Sequence, residues 1–418
     1  GLSPNGLIWR PRFGRGRMLR AEVESLEPAD PAPDAIRWIG RGEALARLGV
    51  KSQTLYAYVS RGRIAARPDP SDPRRSLYAV QDIARLSGEA VDDHRIAERP
   101  IPRSAGRGEA EICSGLTVIA GGRLFYRGLD ACQLAETATL EDVARRLWDA
   151  RAVNPFAEVR PRVGAVPGGS IRARLFAALA RRAEEDADPK ARTVEALRLE
   201  CTRVLDEAID AAAGSGPRLF LHQRLARSWK TPERDAHLIR RALVLAADNE
   251  MNAAVLATRA AADGGAAPAA AAFAGLLTLT GSDMMAELTR ASDWVVAVRR
   301  QATDAARRAH AAGGLAGFGS LDYPAGDPRA AALMASTDLP SDLVRAVQEG
   351  EAATGRPANF GLALAVIARR LELPRDAAGD LFLLGRLAGL LGHALDEATN
   401  GSPIRARLRY VGPEPGAH

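Results

Sequence analysis

The chain has 418 residues, more than a single core usually supports, so one large domain with a small appended one is expected. With 57 basic against 51 acidic residues the formal net charge is +6, a mild excess that permits nucleic-acid or anionic-ligand binding without demanding either. Cys113, Cys132 and Cys201 are odd in number and widely spaced, which argues against a disulfide framework or a cysteine-based metal site. The chain also has no unbroken run of about 18 apolar residues and no signal-peptide core, so a cytoplasmic protein without a membrane span is expected.

Residues 1–35 mix Arg10, Arg12, Arg15, Arg17 and Arg20 with Gly and Pro and end in EPADPAPDA, which reads as a flexible basic arm. Residues 36–90 read as a compact module. In GEALARLGVKSQTLYAYVSRGRIAARP a short helix carrying Ala44, Leu45 and Leu48 runs into Gly49. Ser52 then caps a second helix holding Leu55, Tyr56 and Val59, which is helix-turn-helix spacing. RPDPSDPRRSLYAVQDIARL follows as a two-arm turn and a third helix. Residues 91–109, polar, Arg-rich and broken by Pro, read as a linker. From 110 to 418, Ala, Leu, Val and Arg recur at helical spacing, so the fold class is all-α. The one convincing strand pair is GLTVIAGGRLFYRG, joined by Gly121-Gly122.

The small module resembles the winged helix-turn-helix of the MerR and excisionase families. That resemblance implies DNA as a partner, with Lys51, Ser52, Gln53, Thr54 and Tyr58 facing the major groove. Arg61, Arg63, Arg74 and Arg75 would meet phosphates. Use of the same unit for docking or dimer stabilisation is the alternative.

Seven stretches of the large domain stand in the order of the citrate synthase family. They are GLTVIAGGRLFYRGLDACQLAETATLEDVARRLW, LVLAADNEMNAAVLATRAAA, AGLLTLTGSDMM, GFGSLDYPAGDPRA, ANFGLALAV, GRLAGLLGHALDE and IRARLRYVGP. The resemblance implies helical large and small domains, a two-fold dimer, and a site completed by the partner's C-terminal tail. Thioester condensation needs a carboxylate to take a methyl proton and imidazoles to stabilise the enolate and polarise a ketone. Where the family has His, His and Asp, this chain has Thr280, Ser320 and Asn359, none of which titrates near neutrality. Sliding the register by one brings Phe360 to the third position, still without a carboxylate. Asn249 replaces a family His that helps hold oxaloacetate. Asp322, Asp283 and Glu287 are the carboxylates near enough in sequence to stand in for the missing Asp.

The family's three carboxylate-binding arginines have counterparts in Arg329, Arg386 and Arg405, and Arg suits the task because its planar fork grips a carboxylate and stays charged. Gly317, Phe318 and Gly319 resemble the loop that holds the coenzyme A adenine. His94, His222, His237, His310, His393 and His418 have no metal-ligand spacing, and His393 is read as a packed helix residue. Three functions stay open. One is a catalytically silent sensor that binds a di- or tricarboxylate and acts through the helix-turn-helix. The second is a citrate or methylcitrate synthase of the tricarboxylic acid cycle type, using acetyl-CoA or another coenzyme A ester. The third is a subunit that pairs with an active homologue. The assembly is a homodimer or a heteromer, and no covalent cofactor or metal is expected.

Overall fold

The computed structural model describes residues 38–60, 64, 66–69, 72–80, 83, 112–150, 154–158, 168–186, 193–214, 220–298, 304–401 and 403–404. The basic arm, the linker, Arg61, Arg63, Arg405 and most of the third helix of the small module lie outside the described residues. The chain divides into two compact units, Gly1–Asp92 and Asp93–His418.

The first unit contains β1 (Trp38–Gly40), α1 (Arg41–Leu48), α2 (Ser52–Ser60), β2 (Ala66–Asp69) and β3 (Asp72–Ala79). The strands form an antiparallel sheet in the order β1-β3-β2, so β3 is central and the β2–β3 hairpin is an arm of the sheet. Gly49 ends α1 in the left-handed conformation (φ 62°) with its N–H on the Leu45 carbonyl, a turn that only a residue without Cβ adopts freely. Ile39, Ala44, Leu55, Ile64, Tyr78 and Ile83 form the core, with Tyr58 and Val59 packed against it. The two tyrosines of α2 therefore exchange the roles read from sequence: Tyr58 faces the core and Tyr56 is 50% exposed.

The second unit opens with a sheet ordered β4 (Thr117–Ala120), β5 (Arg123–Tyr126) and β6 (Leu129–Asp130). Gly121 and Gly122 both have positive φ, as the tight turn of a right-twisted hairpin requires. β6 is too short to register in the sequence pattern. Helices follow: α3 (Ala131–Thr137), α4 (Leu140–Leu147), α5 (Ile171–Glu185), α6 (Val194–Ala213), α7 (Leu221–Ser228), α8 (Ala236–Leu245), α9 (Ala253–Asp263) and α10 (Pro268–Thr280). The remainder are α11 (Asp283–Val298), α12 (Ala305–Ala311), α13 (Pro328–Met334), α14 (Ser341–Thr354), α15 (Phe360–Arg370) and α16 (Ala377–Asn400).

The 24-residue α16 is the axis of the unit, packed by α4, α6, α8, α9, α10 and α15. By length and composition it could cross a membrane, but 94% of its apolar window is buried inside the protein, as a core helix should be. Glycines make one of its contacts unusually close. A Cβ at Gly385 would lie 2.7 Å from the Ala246 Cβ, and one at Gly389 would run into the Ala247 carbonyl and Asp248. The backbone at 243–248 therefore rests directly on the helix, and Gly389 N–H donates to the Ala247 carbonyl at 3.0 Å.

Candidate functional site

That close contact sets Asp248 between two side chains of α16. Arg386 and His393 are two helical turns apart and so project from one face. Asp248 is fully buried, and it accepts from Arg386 Nη1 on Oδ1 at 2.6 Å and from His393 Nε2 on Oδ2 at 2.9 Å. Thr117 on β4 donates to the same Oδ2. Burial by itself would raise the Asp248 carboxyl, but His393, Arg386 and the hydrogen bonds from His393 and Thr117 outweigh it and hold the group well below the usual carboxylate range.

The network continues inward. Arg259, with no exposed surface, directs Nε at His393 Nδ1 (3.2 Å), Nη1 at Glu397 (2.8 Å), and Nη2 at Asp396 (2.6 Å) and the Ser114 hydroxyl (2.7 Å). Because guanidinium only donates, His393 Nδ1 must accept, and the ring proton sits on Nε2 facing Asp248. His393 is packed, as the sequence suggested, and it links Asp248 to Arg259 by hydrogen bonds. Arg386 keeps one donor unused: its buried Nη2 has no hydrogen-bond partner.

Arg329 occupies the neighbouring position. It is 6% exposed and held by Asp327 through Nε–Oδ1 (3.0 Å) and Nη2–Oδ2 (2.8 Å), with its guanidinium over the rings of Tyr323 (4.9 Å) and Phe360 (4.7 Å). Burial would lower its pKa, but Asp327 more than offsets this and keeps it charged. Tyr126 joins the two arginines. Its hydroxyl lies against the backbone of Val244, Leu245 and Asp248, closing the end of α8, and its phenol feels both Arg329 and Arg386 while burial raises its pKa. Asn249 donates to Asp322 Oδ2 (2.9 Å) and accepts from the Tyr323 hydroxyl (3.1 Å), which ties the loop after Gly319 to the turn that carries Asp248.

Of the three positions expected to hold catalytic groups, Asn359 is the most constrained. It is the N-cap of α15, accepting from Leu362 N–H at 3.1 Å. Its amide donates to the Gly319 carbonyl (3.0 Å) and to Glu287 Oε1 (3.2 Å). Thr280 closes α10 by donating to the Leu277 carbonyl at 2.7 Å, and Ser320 is half-buried next to Gly319. Asn359 and the Ser320 loop are thus joined, while no hydrogen bond among the described residues connects Thr280 to either.

Glu287 is the carboxylate in contact with Asn359, whereas Asp283 is exposed at the start of α11 and Asp322 binds Asn249. Glu287 Oε1 also accepts from Gly317 N–H at 3.0 Å. The Gly317–Gly319 segment, read from sequence as a coenzyme-binding loop, is itself packed into the unit. Phe318 is buried, stacked on Trp294 and seated on Gly350, so its ring belongs to the core. Gly319 N–H is taken by the Pro357 carbonyl at 2.7 Å, which leaves no backbone amide at 317 or 319 free for a ligand.

In the first unit, Arg41 Nη2 donates to the Ser52 hydroxyl at 2.8 Å and the guanidinium lies over the Tyr56 ring at 5.4 Å. Lys51, Gln53 and Tyr56 are exposed, Ser52 and Thr54 half-buried. Arg75 is exposed and pairs with Asp72 at 3.3 Å. Among the described residues no cluster of His, Cys, Asp and Glu is arranged to hold a metal.

The second unit is thus built on one glycine-lined helical axis, with a buried Asp, two buried Arg and a buried His around its centre. A family model for the citrate synthase C-terminal domain matches residues 107–407, and the chain belongs to the citrate synthase family. It is similar to "Putative citrate synthase 2" of Mycobacterium tuberculosis (strain H37Rv) and of Mycobacterium bovis. Each is 26% identical over 336 residues, covering 71% of this chain and 88% of the relative. Among solved structures it resembles citrate synthase from Thermotoga maritima (19% identity, TM-score 0.58), covering 74% of this chain and 95% of that one. It also resembles the enzyme from Thermoplasma acidophilum in ternary complex with carboxymethyl coenzyme A and oxaloacetate (16% identity, TM-score 0.55, 72% and 93% covered).

Proposed function

We propose that the second unit binds a di- or tricarboxylate of the oxaloacetate or citrate type without performing the condensation. In this reading the protein is a cytoplasmic sensor whose ligand state is passed to the helix-turn-helix unit and through it to DNA. One observation carries it. Thr280 and Asn359 are committed to closing the ends of α10 and α15 and neither can take a methyl proton, whereas Arg386, one turn and more inside α16, retains a buried donor with no partner. An unmatched guanidinium N–H in a dry site is what a carboxylate oxygen satisfies. Asn249 and Arg329 would line the same ligand, and Arg405 of a second subunit would complete it. Ligand alters DNA binding only if it binds two states of the protein unequally.

The second reading, an acyl-CoA-condensing transferase, is favoured by Glu287. It puts a carboxylate beside Asn359, where the family has Asp, and a positioned base is worth about 10²- to 10⁴-fold in rate. Against it, Glu287 Oε1 already accepts two hydrogen bonds. The third reading, a partner subunit for an active homologue, needs the same binding without turnover. Calorimetric titration with oxaloacetate and citrate, followed by a coenzyme A release assay on the same sample, separates them. Binding without release supports the sensor or partner-subunit reading, and co-purification with a homologue that carries the family His and Asp picks out the latter. Release that is lost in Glu287→Gln overturns the silent-protein reading.

A further inference from the structure

The first turns of α16 border a second buried site that shares no residue with the arginine cluster. A cavity of about 90 Å³ lies between α5, α11 and α16, with Met285, Leu288 and Leu383 as its apolar wall. A cavity needs roughly 10–15 Å³ of this measure per water, so the space suits a molecule of about half a dozen heavy atoms. Two polar groups in its wall are more than nine-tenths buried and unmatched. Ser292 is 7% exposed and its hydroxyl has no hydrogen-bond partner. Asp380 is also 7% exposed, and no hydrogen bond reaches its carboxyl from the described residues.

The surrounding charges do not answer this need. On α11, Asp293 is already paired with Arg375 at 2.6 Å. On α5, Arg174 spends Nε and Nη2 on the carbonyls of Ala211 and Ala212, and Arg172 is exposed. Asp376, on the same side of α16 as Asp380, adds negative charge. A buried carboxylate and a hydroxyl with free lone pairs, backed by an apolar wall, call for a compact donor with positive charge and a short hydrocarbon tail.

We propose that this cavity binds a small primary ammonium compound, a short aliphatic amine or a small α-amino acid, with the –NH3+ held between Asp380 and Ser292. Arg172 at the rim would meet the carboxylate of an amino acid and have no partner in a simple amine. Burial, with Asp376 adding to it and Arg172 and Arg174 opposing, pushes the Asp380 carboxyl up to about 7. Binding an ammonium therefore displaces a proton, and affinity should be about tenfold weaker at pH 6 than at pH 8, since an alkylammonium stays charged over that range.

The test is calorimetric or NMR titration of the full chain with ethylammonium, L-alanine and propionate. Saturable binding of ethylammonium or alanine, silence with propionate, and at least a tenfold loss in Asp380→Asn support the site. Tighter binding of alanine than ethylammonium assigns it to an amino acid, the reverse to a simple amine. Asp380→Asn is nearly isosteric and should melt no lower than the parent, so loss of binding cannot be laid to unfolding. Absence of saturable binding by both amines, or binding unchanged in Asp380→Asn, overturns the proposal and leaves a water-filled cavity.

Discussion

Asp380 and Arg386 stand on one helix, less than two turns apart, and both are almost completely buried, yet their surroundings are opposite. Arg386 is paired with Asp248 at the start of a hydrogen-bonded chain that runs through His393 and Arg259 to Glu397 and Asp396, and it keeps one donor to spare. Asp380 has charges nearby and hydrogen bonds from none of them. A buried charge is held where a counter-ion meets it, and where none does, the group titrates into the neutral range. The centre of α16 therefore holds ions in fixed positions, while its first turn holds one that can change state.

The comparison breaks most severely at Asp248. Asp248→Asn leaves Arg386 without its counter-ion and should lower stability by about 3–5 kcal/mol in urea titration. The sign with pH follows from its depressed carboxyl pKa: the stabilisation is present above the unfolded value near 4 and is lost as pH falls below it. The acid limb of the melting profile should flatten in the mutant.

Next in size is Asn359→Asp. A carboxylate there would face Glu287 at hydrogen-bond distance, and two like charges cannot both ionise cheaply. The change should destabilise the protein by about 1–3 kcal/mol at neutral pH, and the double change with Glu287→Gln should recover most of the loss, as a double-mutant cycle would measure.

Asp380→Asn should act in the other direction. A raised folded pKa means that the folded state holds a proton the unfolded chain has released, so stability falls as pH rises from about 4 through about 7. Removing the carboxyl should raise stability at pH 8 by about 1–3 kcal/mol and leave it nearly unchanged at pH 4. The smallest effect is expected from Thr117→Val, which removes one donor to Asp248 and should cost about 1 kcal/mol.

The helical class and the 117–126 hairpin were legible because each has a local signature, an apolar period or paired glycines. The partners of Arg329 and Arg386 were not. Asp248 meets Arg386 across 138 residues of chain, and Glu287 meets Asn359 across 72. Such pairs depend on how helices cross, which spacing within one segment does not encode. The two-turn offset between Arg386 and His393 was a readable hint that one group could bridge them. The exchange of Tyr56 and Tyr58 has a similar origin: a nine-residue helix turns too few times for its pattern to fix which face meets the sheet. Nor does a motif between two glycines reveal that the Phe318 ring fills the space over Gly350.

Asn359 also bears on how such a chain can drift. At the N-cap of α15 Asp and Asn would serve as acceptor almost equally, but the Asn359 amide also donates to the Gly319 carbonyl and to Glu287, which a carboxylate cannot do. The fold therefore favours Asn at 359 through its neighbours, whereas Thr280 makes a single backbone hydrogen bond at the end of α10 and is under a looser constraint. Asp248 has no such freedom, wedged as it is over Gly389 among fixed charges. Selection for a stable protein is by itself enough to preserve the Arg386–Asp248 cluster. A buried arginine cluster with this many structural partners is therefore testimony to stability before it is testimony to activity.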